Sequence, residues 1–248
     1  MKRVMLALAL SLAVAMTATA DSKEVTFSAA DGFTLKGTLH STGRGGPGIL
    51  LLHECNADRT IYEDLGTMLS TAGYTVLAFD FRGFGGSKGG EYTDFASKRQ
   101  KIGELMPGDV DAALKFLASQ STVNPRAIGV VAGSCGVTQA IGAARRHEQI
   151  RTLVLLSGGT DDSGEAYIKG AANLPILGIA SEEDTDAAAS IKKIVGLSSH
   201  QSSRVDMLKG AGHAASMFQK QPEQQADVVI WFRANLPVAG YGLPPAIR

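Results

Sequence analysis

Three residues that together can turn a hydroxyl group into a nucleophile occur in this chain in the order serine, acid, histidine, each just past a short apolar run. Ser134 follows Ile128-Gly129-Val130-Val131-Ala132, Asp184 follows Pro175 to Ala180, and His213 ends Gly210-Ala211-Gly212-His213 beyond Arg204 to Leu208. A serine hydroxyl is a weak nucleophile until an imidazole takes its proton, and the imidazole needs a carboxylate to hold its tautomer and its charged form. These types predict acyl transfer with Ser134 as nucleophile, His213 as general base and then acid, and Asp184 as orienting carboxylate.

The stretch around Ser134 reads as a strand turning sharply into a helix. At such a corner the residues two before and two after the exposed side chain come very close together, so both must be small. Ala132 and Gly136 satisfy this for Ser134. With Cys135 at the corner, Val137 would crowd the turn. A Gly/Ser turn of no function is the plain alternative for these five residues alone. Asp184 competes with Asp186, and with Asp161 and Asp162 after the preceding strand; His213 competes with the reading of an ordinary loop histidine.

The elements that must carry these groups follow from hydrophobic pattern. Segments 24–29 and 33–40 alternate around Asp31-Gly32 and predict a hairpin. Continuous apolar runs at 49–53, 74–80, 128–132, 152–157 and 175–180, with 204–208 last, predict strands, the apolar ones buried on both faces. Helical spacing is seen at 62–72, 109–119, 139–147, 187–195 and 222–235, the last carrying Trp231 and Phe232 towards the sheet. Asp109 and Asp111 read as acids at a helix N-terminus. Segments 87–105 and 158–173 read as loops, and the chain from Pro237 as a tail on the surface. Strands alternating with helices after a hairpin predict an α/β domain with a mostly parallel sheet covered on both faces. The link from 157 to 175 is too short for a large cap domain, so the site should be open. In such sheets functional groups gather past the carboxyl ends of the strands. There stand Glu54, Cys55 and Asn56 after His53, and Asp80-Phe81-Arg82-Gly83-Phe84-Gly85-Gly86-Ser87 after the next strand.

The serine, acid, histidine order, the turn at Ser134, the Asp80 to Ser87 loop and the Gly212-His213 ending together resemble the α/β-hydrolase fold over nearly all of the chain past residue 20. His53-Glu54 resembles the dienelactone hydrolase family, in which a Glu at this place lies beside the nucleophile. That family has Cys at the corner where this chain has Ser134, so the namesake lactone substrate does not carry over. The resemblance implies an oxyanion hole made of the backbone amides of Cys55 and Cys135, with Glu54 either near the substrate or a structural ion-pair partner. His53 reads as a packed loop residue and Arg82 as a structural donor. If both oxyanion amides belong to cysteines, their backbones lie within a few Å, close to the roughly 4.4–6.8 Å that a disulfide requires between Cα atoms. Cys55 and Cys135 are then either bridged or two small buried thiols.

Composition bounds the rest. Residues 1–20 have a basic start at Lys2 and Arg3, an apolar core from Val4 to Met16 and the small-residue end Ala18-Thr19-Ala20, the pattern of a secretory leader cleaved after Ala20. That core falls short of the roughly 20 residues of a spanning helix, and no Cys follows to receive a lipid. The expectation is a single domain over 21–248 in the periplasm or outside the cell, without a stable membrane anchor. Without the two leader cations the chain has 22 basic and 24 acidic residues, a balance that gives no reason to expect nucleic acid as partner. The five histidines are scattered, and no metal site or cofactor is expected. The leading expectation is a serine hydrolase of small carboxylic esters, lactones being a subclass. The competitors are a non-catalytic binding protein on this scaffold, a hydrolase with Cys135 as nucleophile, and a peptidase.

Overall fold

The computed structural model describes residues 21–93 and 95–239; the segment 1–20 expected to be a leader and the end of the tail at 240–248 lie outside the described residues. Among the described residues, eight strands form one sheet in the order β1-β2-β4-β3-β5-β6-β7-β8. Strands β1 (Asp21–Ser28) and β2 (Thr34–Ser41) make the antiparallel hairpin, and β2 pairs antiparallel with β4 (Thr75–Phe79). From β4 onward all pairings are parallel, through β3 (Gly46–Leu52), β5 (Val123–Gly133), β6 (Ile150–Leu156), β7 (Ile176–Ser181) and β8 (Arg204–Leu208).

The apolar runs are continuous because each strand serves two cores at once. Successive side chains point to opposite faces, so Leu50, Leu52, Val130, Ala132, Leu153 and Leu155 fill one layer. Ile49, Leu51, Val131, Val154 and Leu156 fill the other. Helices α2 (Arg99–Ala118), α3 (Cys135–Arg146), α4 (Asp162–Gly170) and α5 (Thr185–Gly196) contribute to the first layer. Helices α1 (Glu63–Thr71), α6 (Met217–Lys220) and α7 (Glu223–Asn235) cover the second. Trp231 and Phe232 on α7 are buried against the sheet as expected, and the Trp231 Nε1–H donates to Thr152 Oγ1 at 2.9 Å.

Two segments read as loops are partly helical. Residues 162–170 form α4 because Asp161 caps it, its side chain accepting from the Gly164 N–H at 2.8 Å; the Asp161-Asp162-Ser163 cluster is an N-terminal signal. Helix α2 begins at Arg99 and runs through Pro107, a residue that normally ends a helix. Burial of Ile102, Met106 and Val110 on one side of the helix outweighs the lost backbone bond.

Asp109 therefore stands mid-helix, correcting its placement at a helix start. It is fully buried and binds Arg82: Arg82 Nη2 donates to Asp109 Oδ1 at 2.6 Å and Nε to the same oxygen at 2.9 Å. The other side of the guanidinium holds Asp31 in the hairpin turn at 2.6 Å. Arg82 thus joins the hairpin, the end of β4 and α2. Asp111, also mid-helix, pairs with Arg146 and His147 on and just past α3. Removing one partner of a buried pair leaves a buried charge. Asp109→Ala is expected to lower unfolding stability by about 3 kcal/mol, read as a fall in the urea midpoint with unchanged slope.

Candidate active site

The strand order reverses at β3: β4 lies on one side of it and β5 on the other. Such a switch point opens a crevice past the carboxyl ends of the two diverging strands. Ser134 follows β5 there, and Glu54 and Cys55 follow β3.

Ser134 sits at φ 51°, ψ −117°, a left-handed conformation that L side chains rarely adopt and that costs of order 1–3 kcal/mol. The close approach that demands small neighbours is visible at Gly136. A Cβ placed there would come within 2.9 Å of the Leu52 carbonyl and 3.1 Å of the His53 carbonyl. The corner residue is Ser134, not Cys135, which is the first residue of α3.

His213 Nε2 is 2.9 Å from Ser134 Oγ, and His213 Nδ1 is 2.6 Å from Asp184 Oδ2. With the Nδ1–H donated to the carboxylate, Nε2 is left to accept the serine proton. Of the four candidate acids only Asp184 is brought to the imidazole: Asp161 caps α4, Asp162 starts the same helix, and Asp186 lies in the first turn of α5. The His213 side chain is 44% exposed and that of Asp184 24% exposed, so no cap closes over the pair.

Cys55 and Cys135 are bridged, with Cα atoms 5.9 Å apart. The Cys135 N–H is at the first turn of α3, where amides have no partner within the helix. The Glu54 carbonyl accepts from the His53 ring at 2.8 Å and from the Ala57 N–H at 3.2 Å. A trans peptide points its N–H opposite its C=O, so the Cys55 amide in the same unit faces away from those two donors. Among the described residues neither amide has a hydrogen-bond partner.

The family description "serine aminopeptidase, S33" belongs to a hydrolase family model that matches residues 48–180, over half of the sequence. The chain is a member of this α/β-hydrolase family. It is 32% identical over 133 residues to a thiohydrolase of Aspergillus aculeatus, covering 53% of this chain and 40% of that protein. The chain spans about two fifths of the length of the first curated relatives it matches. Among solved structures it superposes on a dienelactone hydrolase from Anabaena variabilis with a TM-score of 0.71 at 20% identity, over 88% of this chain and 99% of the other. A Pyrococcus furiosus esterase gives 0.65 at 18% identity, over 87% and 93%. At these identities the structures share the fold.

Around the crevice of this α/β-hydrolase, Glu54 is buried and its Oε2 accepts from the Ala215 N–H at 3.0 Å. It has no ion-pair partner among the described residues. Its carboxylate ties the loop after β3 to the loop carrying His213. Burial raises its pKa, against the opposing pull of the Ala215 amide and of His213. His53 is fully buried and structural: its Nδ1–H donates to the Glu54 carbonyl, and Nε2 accepts from the Phe81 N–H at 3.1 Å. Burial lowers its pKa and keeps it neutral. Sequence reasoning passed over Glu183. Its Oε2 accepts from Ser181 Oγ at 2.5 Å and its Oε1 from the Gly210 N–H at 2.8 Å, while Ser181 Oγ accepts from the Ala211 N–H at 3.1 Å. Glu183 thereby pins the loop that delivers His213 against the loop that delivers Asp184. Nothing in its spacing marks that role, since the partner that fixes the histidine loop is the Gly210 amide, 27 residues away.

Because the folded state holds the Glu54 proton to a higher pH than the unfolded chain does, its contribution to stability is lost as pH rises through the folded pKa. Glu54→Gln keeps an acceptor for the Ala215 N–H and cannot ionise. The stability of this variant relative to the native protein is expected to rise from pH 4 to pH 8 in urea titrations; a difference independent of pH would contradict the assignment.

Proposed function

We propose that this protein is a secreted serine hydrolase that cleaves small carboxylic esters through an acyl-enzyme. The observation that carries the reading is the unbroken line from Ser134 Oγ through the His213 ring to Asp184, built on a serine held in a strained conformation. As Ser134 Oγ attacks the ester carbonyl carbon, His213 Nε2 takes its proton and Asp184 stabilises the imidazolium. The carbonyl oxygen becomes an anion between the amides of Cys55 and Cys135, donors that are each worth about 10²–10³ in turnover. Collapse expels the alcohol, which takes the proton from Nε2. Water, deprotonated by the same nitrogen, then releases the acid and restores Ser134.

Cys135 is a poor rival as nucleophile because attack requires a thiolate and its sulfur is held in the bridge. The bridge also favours an oxidising compartment, in keeping with the leader-like sequence at 1–20. The open site and the esterase among structures of the same fold favour small esters. The thiohydrolase relative makes thioesters, which react by the same steps, the second class to test.

A panel of p-nitrophenyl esters of rising chain length, acyl thioesters and aminoacyl p-nitroanilides reads the leaving-group class, and ester turnover is expected to dominate. Ser134→Ala is expected to lower that turnover by about 10³-fold or more and to abolish labelling by a fluorophosphonate probe. Folded native protein that neither labels nor turns over any of the panel would make this a binding protein on a hydrolase scaffold. Turnover lost in Cys135→Ala but kept in Ser134→Ala would move the nucleophile to the cysteine.

A further inference from the structure

The two amides assigned to the oxyanion belong to the two residues that the disulfide joins, and this coincidence has a chemical consequence. Cys135 follows the strained Ser134 directly, and Cys55 lies in the loop after β3 on the other side of the switch point. Past Glu54 that loop turns at Cys55 and exposed Asn56 and runs to Asp58, which caps the short helix Arg59–Tyr62. The Cys55 side chain makes one tie across the crevice, the bond to Cys135. Both cysteines are half-buried rather than enclosed, and the crevice around them is open on the His213 side.

We propose that the Cys55–Cys135 bridge is a positioning element of the oxyanion hole, and that a small dithiol reductant reversibly switches the hydrolase off by opening it. The proposal rests on the serine-hydrolase reading of the site. In the switching step one thiolate of the reductant attacks a bridge sulfur, forming a mixed disulfide and releasing the other cysteine as a thiolate, which takes a proton. The second thiol of the reductant displaces the first cysteine. Two electrons and two protons end on Cys55 and Cys135 as thiols, and the reductant leaves as its cyclic disulfide.

The magnitude follows from geometry. Opening the bridge removes the covalent tie between the Cys55 loop and the elbow, in the reduced protein and in C55A/C135A alike. The elbow is braced by the Ser134 N–H to Leu156 carbonyl bond at 2.9 Å and by the seat of Gly136 against β3. Apart from the bridge the Cys55 peptide is held at its carbonyl edge, by the His53 ring and the Ala57 N–H on the Glu54 oxygen, so the freed motion falls on its N–H edge and on exposed Asn56. A displacement of the order of 1 Å at a reacting group can cost about 10²-fold in rate. Substrate binding in the ground state does not require the oxyanion donors, so the loss should fall on kcat and leave KM close to its starting value.

The test compares kcat and KM for a p-nitrophenyl ester in the oxidised protein, in protein reduced by dithiothreitol, and in C55A/C135A. Thiols are counted before and after reduction, and near-UV circular dichroism follows the fold. We expect no free thiol before reduction and two after it, with kcat lower by about 10–100-fold, KM within about twofold, the fold retained and activity restored on reoxidation. C55A/C135A should show the same low kcat and ignore dithiothreitol. The affinity for a boronic acid, which takes up the tetrahedral form on Ser134, should fall in parallel with kcat. Folded protein with two free thiols and unchanged kcat would overturn the proposal. So would a loss of activity that only tracks loss of the near-UV signal, since the bridge would then be a staple of the fold. Ser134→Ala assayed beside them keeps the two readings apart: if that variant retains turnover, the serine mechanism itself has failed.

Discussion

The whole site depends on how closely the start of α3 is allowed to approach the end of β3, where the strand order reverses. Gly136 rests on the Leu52 and His53 carbonyls, and only with no side chain there can the start of α3 sit against the end of β3. That contact sets Ser134 at its positive φ and brings the first amide of α3 level with the loop that follows β3. The strain at the serine is the local cost of the arrangement. It is carried by strands whose faces are both buried in dense apolar layers, because a rigid scaffold can hold a residue in a conformation it would leave if free.

Around this contact the four loops of the site are linked pairwise by bonds of different kinds. The disulfide joins the loop after β3 to the elbow. Glu54 joins the same loop to the segment just past His213. Asp184 and Glu183 join the histidine loop to the loop after β7, one at the imidazole and one at the backbone. Two further non-glycine residues are forced to positive φ here, Ser157 at the end of β6 and Ala214 beside His213. Strained residues gather where several loops must meet in fixed geometry. Placement of catalytic groups to a fraction of an ångström is worth several orders of magnitude in rate.

Departures from the sequence-based expectations share a cause. Asp109 and Asp111 look like helix-start acids because Gly108 and Pro107 look like breakers. Yet Ile102 and Met106 bury against the sheet and carry the helix straight through them. Helix α4 hides behind glycine and small polar residues, and its Asp161 cap could have been recognised. In each case tertiary burial or a cap outweighed intrinsic propensity.

By itself the sequence determined the α/β layering, the strands whose ends carry Ser134, Asp184 and His213, and Ser134 rather than Cys135 as the corner residue. All of these follow from short-range rules: side-chain alternation, the size of neighbours at a tight turn, and what stands just past an apolar run. Only the tertiary structure decided which of four aspartates meets His213, that Cys55 and Cys135 join across 80 residues, that Arg82 and Asp109 form a buried pair, and that Glu183 pins the histidine loop. Those outcomes turn on distances between side chains far apart in the chain. Such distances are set by how the layers pack, and no local pattern encodes them.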